Sequence, residues 1–199
     1  MIPVARQPEP ATFDATVRQP GLAWLTANGI GLKLPAPVGL KWKTCWTICL
    51  PDLRTAYGAI CAYVAVYVER VVGNGSVEHF APKTQRVDLA YEWDNYRYVC
   101  GRMNGRKSNY TDALDPFALT AIPFELNFGD FRVSVSPAID PALANDAATT
   151  ITRLKLNDAD CRKLRENHYN EYLAARISKA KLQDESPFVF AEAQRQNML

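Results

Sequence analysis

Proline and glycine cut this chain into short pieces, and that punctuation limits what it can build. There are 13 prolines and 10 glycines in 199 residues. Four of the prolines fall within residues 1–20, which read as an extended arm. Residues 31–40 carry two prolines and two glycines and read as loop. Pro51, the turn Gly73-Asn74-Gly75-Ser76 and the break Ala81-Pro82-Lys83 follow. The elements between these stops are short. The spacing predicts a helix over Leu22–Ala27 closed by Asn28-Gly29, and another from Asp52 onward with Asp52 as its N-cap. Tyr and Val enrichment predicts strand over Cys61–Val72, a short strand over Val77–Phe80 and another over Tyr96–Cys100. A short polar, basic helix is expected over Gly101–Asn109.

The second half is more regular. Phe124–Phe128 and Phe131–Val135 alternate around Gly129-Asp130, a hairpin signal. Helical pattern starts near Ala147 and runs to Leu156. Asn157 is the expected N-cap of a helix over Asp158–Ser178, and Ser186-Pro187 opens a last helix. The class is α+β: a small β-hairpin core, with an additional hairpin, flanked by N- and C-terminal helices. Three segments are expected within one compact domain, namely 1–60, 61–110 and 111–199.

Composition excludes several classes. Lys and Arg total 23 against 21 Asp and Glu, a net charge of +2, so the chain is neither a basic nucleic-acid coat nor an acidic tail protein. Two histidines exclude a histidine-rich metal site, and five cysteines without paired spacing suit a reducing compartment. No apolar signal core opens the chain, and the longest uncharged apolar stretch, between Arg54 and Glu69, falls short of the roughly 20 residues a membrane span needs. A cytoplasmic protein without a membrane contact is expected.

Chemistry-bearing residues concentrate in 77–107. Glu78 and His79 end one strand, Asn95 leads into the next, and Asn104 and Lys107 lie three apart on one helix face. Phosphodiester hydrolysis needs a base near neutral pH, which histidine supplies, and a hard cation on a few oxygen ligands. Glu78 and Asn104 are candidate ligands, and Asn95 is a candidate brace for the loop bearing His79. Lys83, Arg97, Arg102, Arg106 and Lys107 are candidate phosphate contacts. From 97 to 107 there are four basic residues and no acid.

The segments Glu78-His79-Phe80-x-Pro82-Lys83, Glu92-Trp93-x-Asn95-Tyr96 and Cys100-x-x-x-Asn104-x-x-Lys107 resemble the HNH endonuclease signature of the ββα-metal superfamily. Within that superfamily the pattern resembles the bacterial HNH proteins of retron- and Septu-type anti-phage systems. Asp115-Pro116-Phe117, Thr150-Ile151-x-x-Leu154-x-Leu156-Asn157 and Ser186-Pro187-Phe188 extend the resemblance across most of residues 61–190. It implies a ββα-metal core, His79 as general base, Asn95 as the middle residue supporting the loop, and Asn104 as third residue and metal ligand. Glu78 becomes the acidic ligand beside the base, and Lys107 a phosphate-facing lysine. The implied cofactor is Mg²⁺ or Mn²⁺, the substrate DNA, the setting phage defence, and an ATPase a partner.

The relatives' two Cys-x-x-Cys pairs are halved here, to Cys61 with Val64 and Cys100 with Met103. Two thiolates do not close a tetrahedral zinc site, so no structural zinc is expected. The competing expectation is a non-catalytic subunit on an HNH scaffold that binds nucleic acid or an ATPase.

Overall fold

The structure is a computed structural model describing residues 1–199. Where one compact domain in three consecutive segments is expected, the chain forms two compact units, each discontinuous in sequence. One comprises Arg6–Ala59 and Glu69–Thr111. The other comprises Met1–Ala5, Ile60–Val68 and Asp112–Leu199.

The first unit holds the candidate site. Its arm is extended only to residue 10. A π-helical turn, Asp14–Arg18, then runs straight into α1 (Gln19–Ala27). Pro20 lies in the first turn of α1 and Pro51 in the first turn of α2 (Leu50–Ala56). A missing N–H costs nothing at those positions, so both prolines start helices rather than interrupt them. Asp52 sits inside the first turn of α2 instead of capping it. Strands β1 (Gly75–His79) and β2 (Tyr96–Cys100) pair antiparallel, from Gly75 opposite Cys100 to His79 opposite Tyr96. Helix α3 (Gly101–Lys107) follows β2 without a linker.

The arm is stitched down by specific bonds. Phe13 packs edge-on against Trp93 and Tyr96, with ring centroids 5.6 and 5.8 Å apart. The Trp93 indole N–H donates to the Gln7 carbonyl at 2.9 Å. Arg18 bridges Glu92 at 3.0 Å and Asp14 at 2.9 Å, and also pairs with Glu9.

In the second unit, β3 (Phe124–Leu126) and β4 (Val133–Val135) form the expected hairpin with a wider turn than Gly129-Asp130 alone. Phe131 adopts φ 56° and its N–H bonds the Asn127 carbonyl, which shortens both strands. Helix α4 (Pro141–Arg153) starts six residues earlier than the apolar pattern suggests, because Asp140 caps it. Helix α5 (Ala159–Leu173) is capped by Asp158, whose carboxylate accepts from Cys161 N at 2.7 Å. Asn157 instead braces β4, bonding both Val133 backbone groups at 2.7 and 2.8 Å. Helices α6 (Lys179–Glu185) and α7 (Pro187–Arg195) complete the chain. His168 pairs with the buried Ser186 hydroxyl, a structural contact.

The strand expected over Cys61–Val72 does not form. Ile60–Val68 folds back on itself, with one isolated bridge between Ile60 and Tyr67 and Ala65 at φ 50°. Its Tyr and Val content reflects burial instead: Cys61, Tyr63 and Ala65 have no solvent exposure. None of the five cysteines is in a disulfide, and no helix is long and apolar enough to cross a membrane.

Gly21 is a point of close approach. A Cβ built there would lie 2.3–2.5 Å from three ring atoms of Tyr91, a residue 1% exposed. Helix propensity alone makes Gly21→Ala stabilising by roughly 1 kcal/mol. Overpacking reverses that sign, and a net loss of about 1–3 kcal/mol is expected from the urea midpoint.

Candidate active site

The segment joining β1 to β2 is long and irregular, yet one side chain organises it. The Asn95 amide oxygen accepts from Ala81 N at 2.8 Å, and its NH₂ donates to the Ala81 and Leu89 carbonyls, both at 3.0 Å. The Asn95 backbone carbonyl accepts from Phe80 N at 2.9 Å. Every polar group of this 5%-exposed side chain is used. The two ends of the loop are thereby tied together beside Leu89 and Ala90.

Ala90 is the next link. Its carbonyl lies 2.9 Å from His79 Nε2 and also accepts from the Tyr96 hydroxyl at 2.9 Å. A carbonyl only accepts, so Nε2 carries the proton and Nδ1 keeps the lone pair. The ring is wedged edge-on against Trp46, centroids 4.8 Å apart, and against Tyr96 at 5.0 Å. Burial, reinforced by the Lys83 charge, drives the His79 pKa down to about 3. The imidazole is therefore neutral at any ordinary pH and holds a fixed tautomer, the form a proton acceptor needs.

Three residues of β1, Ser76, Val77 and Glu78, meet α3. The Asn104 NH₂ donates to the Ser76 hydroxyl and, at 3.3 Å, to the Val77 carbonyl. That leaves the amide oxygen as its remaining polar atom. Lys107 Nζ donates to Glu78 Oε1 at 2.8 Å and to the Phe80 carbonyl at 2.8 Å, with both side chains at or below 1% exposure. Lys107 is thus an internal counter-ion, because α3 follows β2 directly and its 104/107 face turns onto β1.

A cavity of about 650 Å³ opens beside these groups, and Trp46, Ser76, Glu78, His79, Lys83 and Asn104 all line it. Lys83 Nζ lies 5.1 Å from the Trp46 ring centroid and 6.0 Å from that of Trp42. Its partial burial lowers its pKa, opposed by the charge of Glu78. Glu78 and Asn104 are hard oxygen donors on one cavity, the kind of sparse set that Mg²⁺ or Mn²⁺ accepts with water and phosphate completing the shell. The Asn104 amide oxygen is left over from the bonds its NH₂ makes, whereas the Glu78 carboxylate already shares Lys107. No three His, Cys, Asp or Glu side chains form a metal-holding cluster, at this cavity or elsewhere.

The structure therefore brings together His79, Glu78, Asn104 and Lys83 on one cavity, with Asn95 behind them. It separates two expected phosphate contacts from that surface. Lys107 is wholly buried against Glu78. Arg97 is 2% exposed, stands opposite Glu78 in the β register, and donates to the Asp94 and Tyr96 carbonyls at 2.8 and 3.0 Å. Its guanidinium also lies over Phe80. Arg102 is exposed and Arg106 partly so. The local positive charge read from residues 97–107 is therefore half internal. Sequence reasoning missed Trp46, Ser76 and the Ala90 carbonyl. None sits in a motif, and only the fold places them against His79 and Asn104. No protein-family model matches the chain, and no curated protein matches it.

Two outcomes follow from this geometry. Lys107→Met strands a buried carboxylate and is expected to cost about 3–5 kcal/mol in urea denaturation, most of it recovered in the double variant Glu78→Met/Lys107→Met. The His79 pKa lies below its unfolded value near 6.5, so the unfolded chain takes up a proton that the folded chain refuses. Its contribution to stability is full above pH 6.5 and is lost as pH falls toward 3, by up to about 1.4 kcal/mol per pH unit. His168 is also lowered by burial. Comparison of denaturation at pH 7 and 4.5 in wild type and His79→Gln isolates the His79 share as the slope the variant lacks.

Proposed function

We propose that this chain is a metal-dependent endonuclease of the HNH type, hydrolysing DNA phosphodiester bonds in bacterial defence against phage. The observation that carries this reading is the His79 tautomer: Nε2 is committed to the Ala90 carbonyl, leaving Nδ1 as a lone-pair nitrogen on a residue that lines the cavity.

His79 Nδ1 takes a proton from water, whose oxygen attacks phosphorus as the bond from phosphorus to the leaving oxygen breaks. The leaving oxygen takes up a proton from solvent, and the imidazolium gives its proton to bulk water, which restores the base. Lys83 offsets the charge that builds on the phosphate oxygens. Asn95 keeps the base aimed by holding Ala81 and Leu89, and touches no reacting atom. Held by the Asn104 amide oxygen and the Glu78 carboxylate, a divalent cation would polarise the phosphate and stabilise the leaving oxygen. Arg102 and Arg106 on α3 supply backbone contacts. The defence setting, and an ATPase partner, rest on the resemblance of Glu78-His79-Phe80-x-Pro82-Lys83 and its companion segments to retron- and Septu-type HNH proteins.

One observation favours the second reading, a subunit that binds nucleic acid or an ATPase without catalysis. The Lys107 ammonium already neutralises the Glu78 carboxylate, which weakens its draw on a metal. The two readings part on one experiment. With supercoiled plasmid and Mg²⁺ or Mn²⁺, the nuclease reading expects cleavage that His79→Ala lowers by roughly 10²–10⁴-fold with the far-UV circular dichroism spectrum unchanged. Cleavage by His79→Ala at the wild-type rate removes His79 as base. Metal-independent binding with no cleavage by wild type favours the binding subunit.

A further inference from the structure

A second charged surface belongs to the same unit and lies outside the HNH signature. From Ala15 to Pro51 there is no acidic residue, and there are four basic ones. Arg18 is consumed by Glu9, Asp14 and Glu92, whereas Lys33, Lys41 and Lys43 are exposed. Interspersed with these lysines along the sequence are Trp24, Trp42 and Trp46, whose rings form a row. Trp24 and Trp42, both only part-buried, lie 6.2 Å apart between ring centroids with planes tilted 36°. Trp42 continues to Trp46 at 6.4 Å, and Trp46 touches His79. Ala36 N bonds the Thr84 carbonyl at 2.8 Å, which ties the lysine loop to the residue after Lys83.

We infer that Trp24, Trp42 and the lysines Lys33, Lys41 and Lys43 form a binding track for single-stranded nucleic acid that leads to the His79 cavity. The chemistry selects this occupant. Part-exposed indole rings among cations offer stacking to unpaired bases and charge to the backbone between them. A duplex presents phosphates but hides its base faces, so it would engage the lysines and leave the tryptophans idle. The exposed Leu34 and Val38 in the same loop would suit a protein partner. Three exposed lysines without an acid in the segment favour a polyanion instead. The proposal deepens the nuclease reading by naming an unpaired strand as substrate, and rests on it only for what that strand meets at the cavity.

The test uses the full chain in EDTA, so that binding is read without cleavage. The probes are labelled oligo-dT of about 20 nucleotides, a duplex of equal length, and linear polyphosphate. Oligo-dT is expected to bind at least ~10-fold more tightly than either competitor and to quench tryptophan fluorescence. The Lys33→Gln/Lys41→Gln/Lys43→Gln variant should weaken oligo-dT at least ~10-fold at about 50 mM salt and flatten its salt dependence by about two logarithmic units per decade. Trp24→Leu should weaken it roughly 5-fold or more while leaving polyphosphate binding unchanged. Equal affinity for duplex or polyphosphate, or wild-type binding by the folded variants, overturns the track. So does saturable binding of a protein partner on this loop with no affinity for oligo-dT. Oligo-dT binding with these properties, but no His79-dependent cleavage of either plasmid or single-stranded DNA with Mg²⁺ or Mn²⁺, would leave the track standing and remove the nuclease reading. His79-dependent plasmid cleavage without oligo-dT binding would do the reverse.

Discussion

The Asn95 side chain is the contact on which the arrangement around His79 depends. The loop between β1 and β2 contains no strand and only single helical turns, and one backbone bond, from Phe80 N to the Asn95 carbonyl, closes its ends beyond the His79–Tyr96 pair. The Asn95 amide carries that closure inward, through three hydrogen bonds to Ala81 and Leu89. The carbonyl that fixes the His79 ring belongs to Ala90, the neighbour of one of those anchors. The ring orientation is therefore set two bonds away from the ring itself. A single buried amide with all its partners satisfied does what an extra strand would do in a larger fold, because leaving any of those partners unpaired is costly in a dry interior.

Charge is handled in the opposite way on the two sides of the cavity. Glu78 and Lys107 neutralise each other out of water, which specifies how α3 meets β1 at little net gain in stability. Lys83 is held by indole rings and remains available to an anion. Net charge counted along the sequence merges these two kinds of lysine. So does a local count over residues 97–107, where Arg97 is as deeply internal as Lys107.

Much of the local structure was legible because it is written in local chemistry. β1, β2, α3 and the second hairpin follow alternation, turn residues and spacing, and the Glu78, His79, Asn95 and Asn104 motif positions gather where those elements meet. The misreadings share a cause. Pro20 and Pro51 look like breaks but fit the first turn of a helix, and Tyr63 and its valine neighbours look like strand but are a buried loop. In each case one residue type serves two structures, and only its long-range partners decide between them. The burial of Arg97 and Lys107 was likewise invisible, since a basic residue on a short strand or helix gives no sign of which face it turns inward.

The division of the chain into units has a consequence for how it is made. The unit bearing His79 ends at Thr111, so all of its residues have left the ribosome well before synthesis finishes. The other unit draws on Met1–Ala5 and Ile60–Val68 as well as Asp112–Leu199, and those early pieces wait for the last helices before they are covered. Apolar side chains such as Tyr63 and Val66 are therefore held in the open through most of translation. This gives the nascent chain a long interval of exposed hydrophobic surface, in which chaperone capture or aggregation competes with closure.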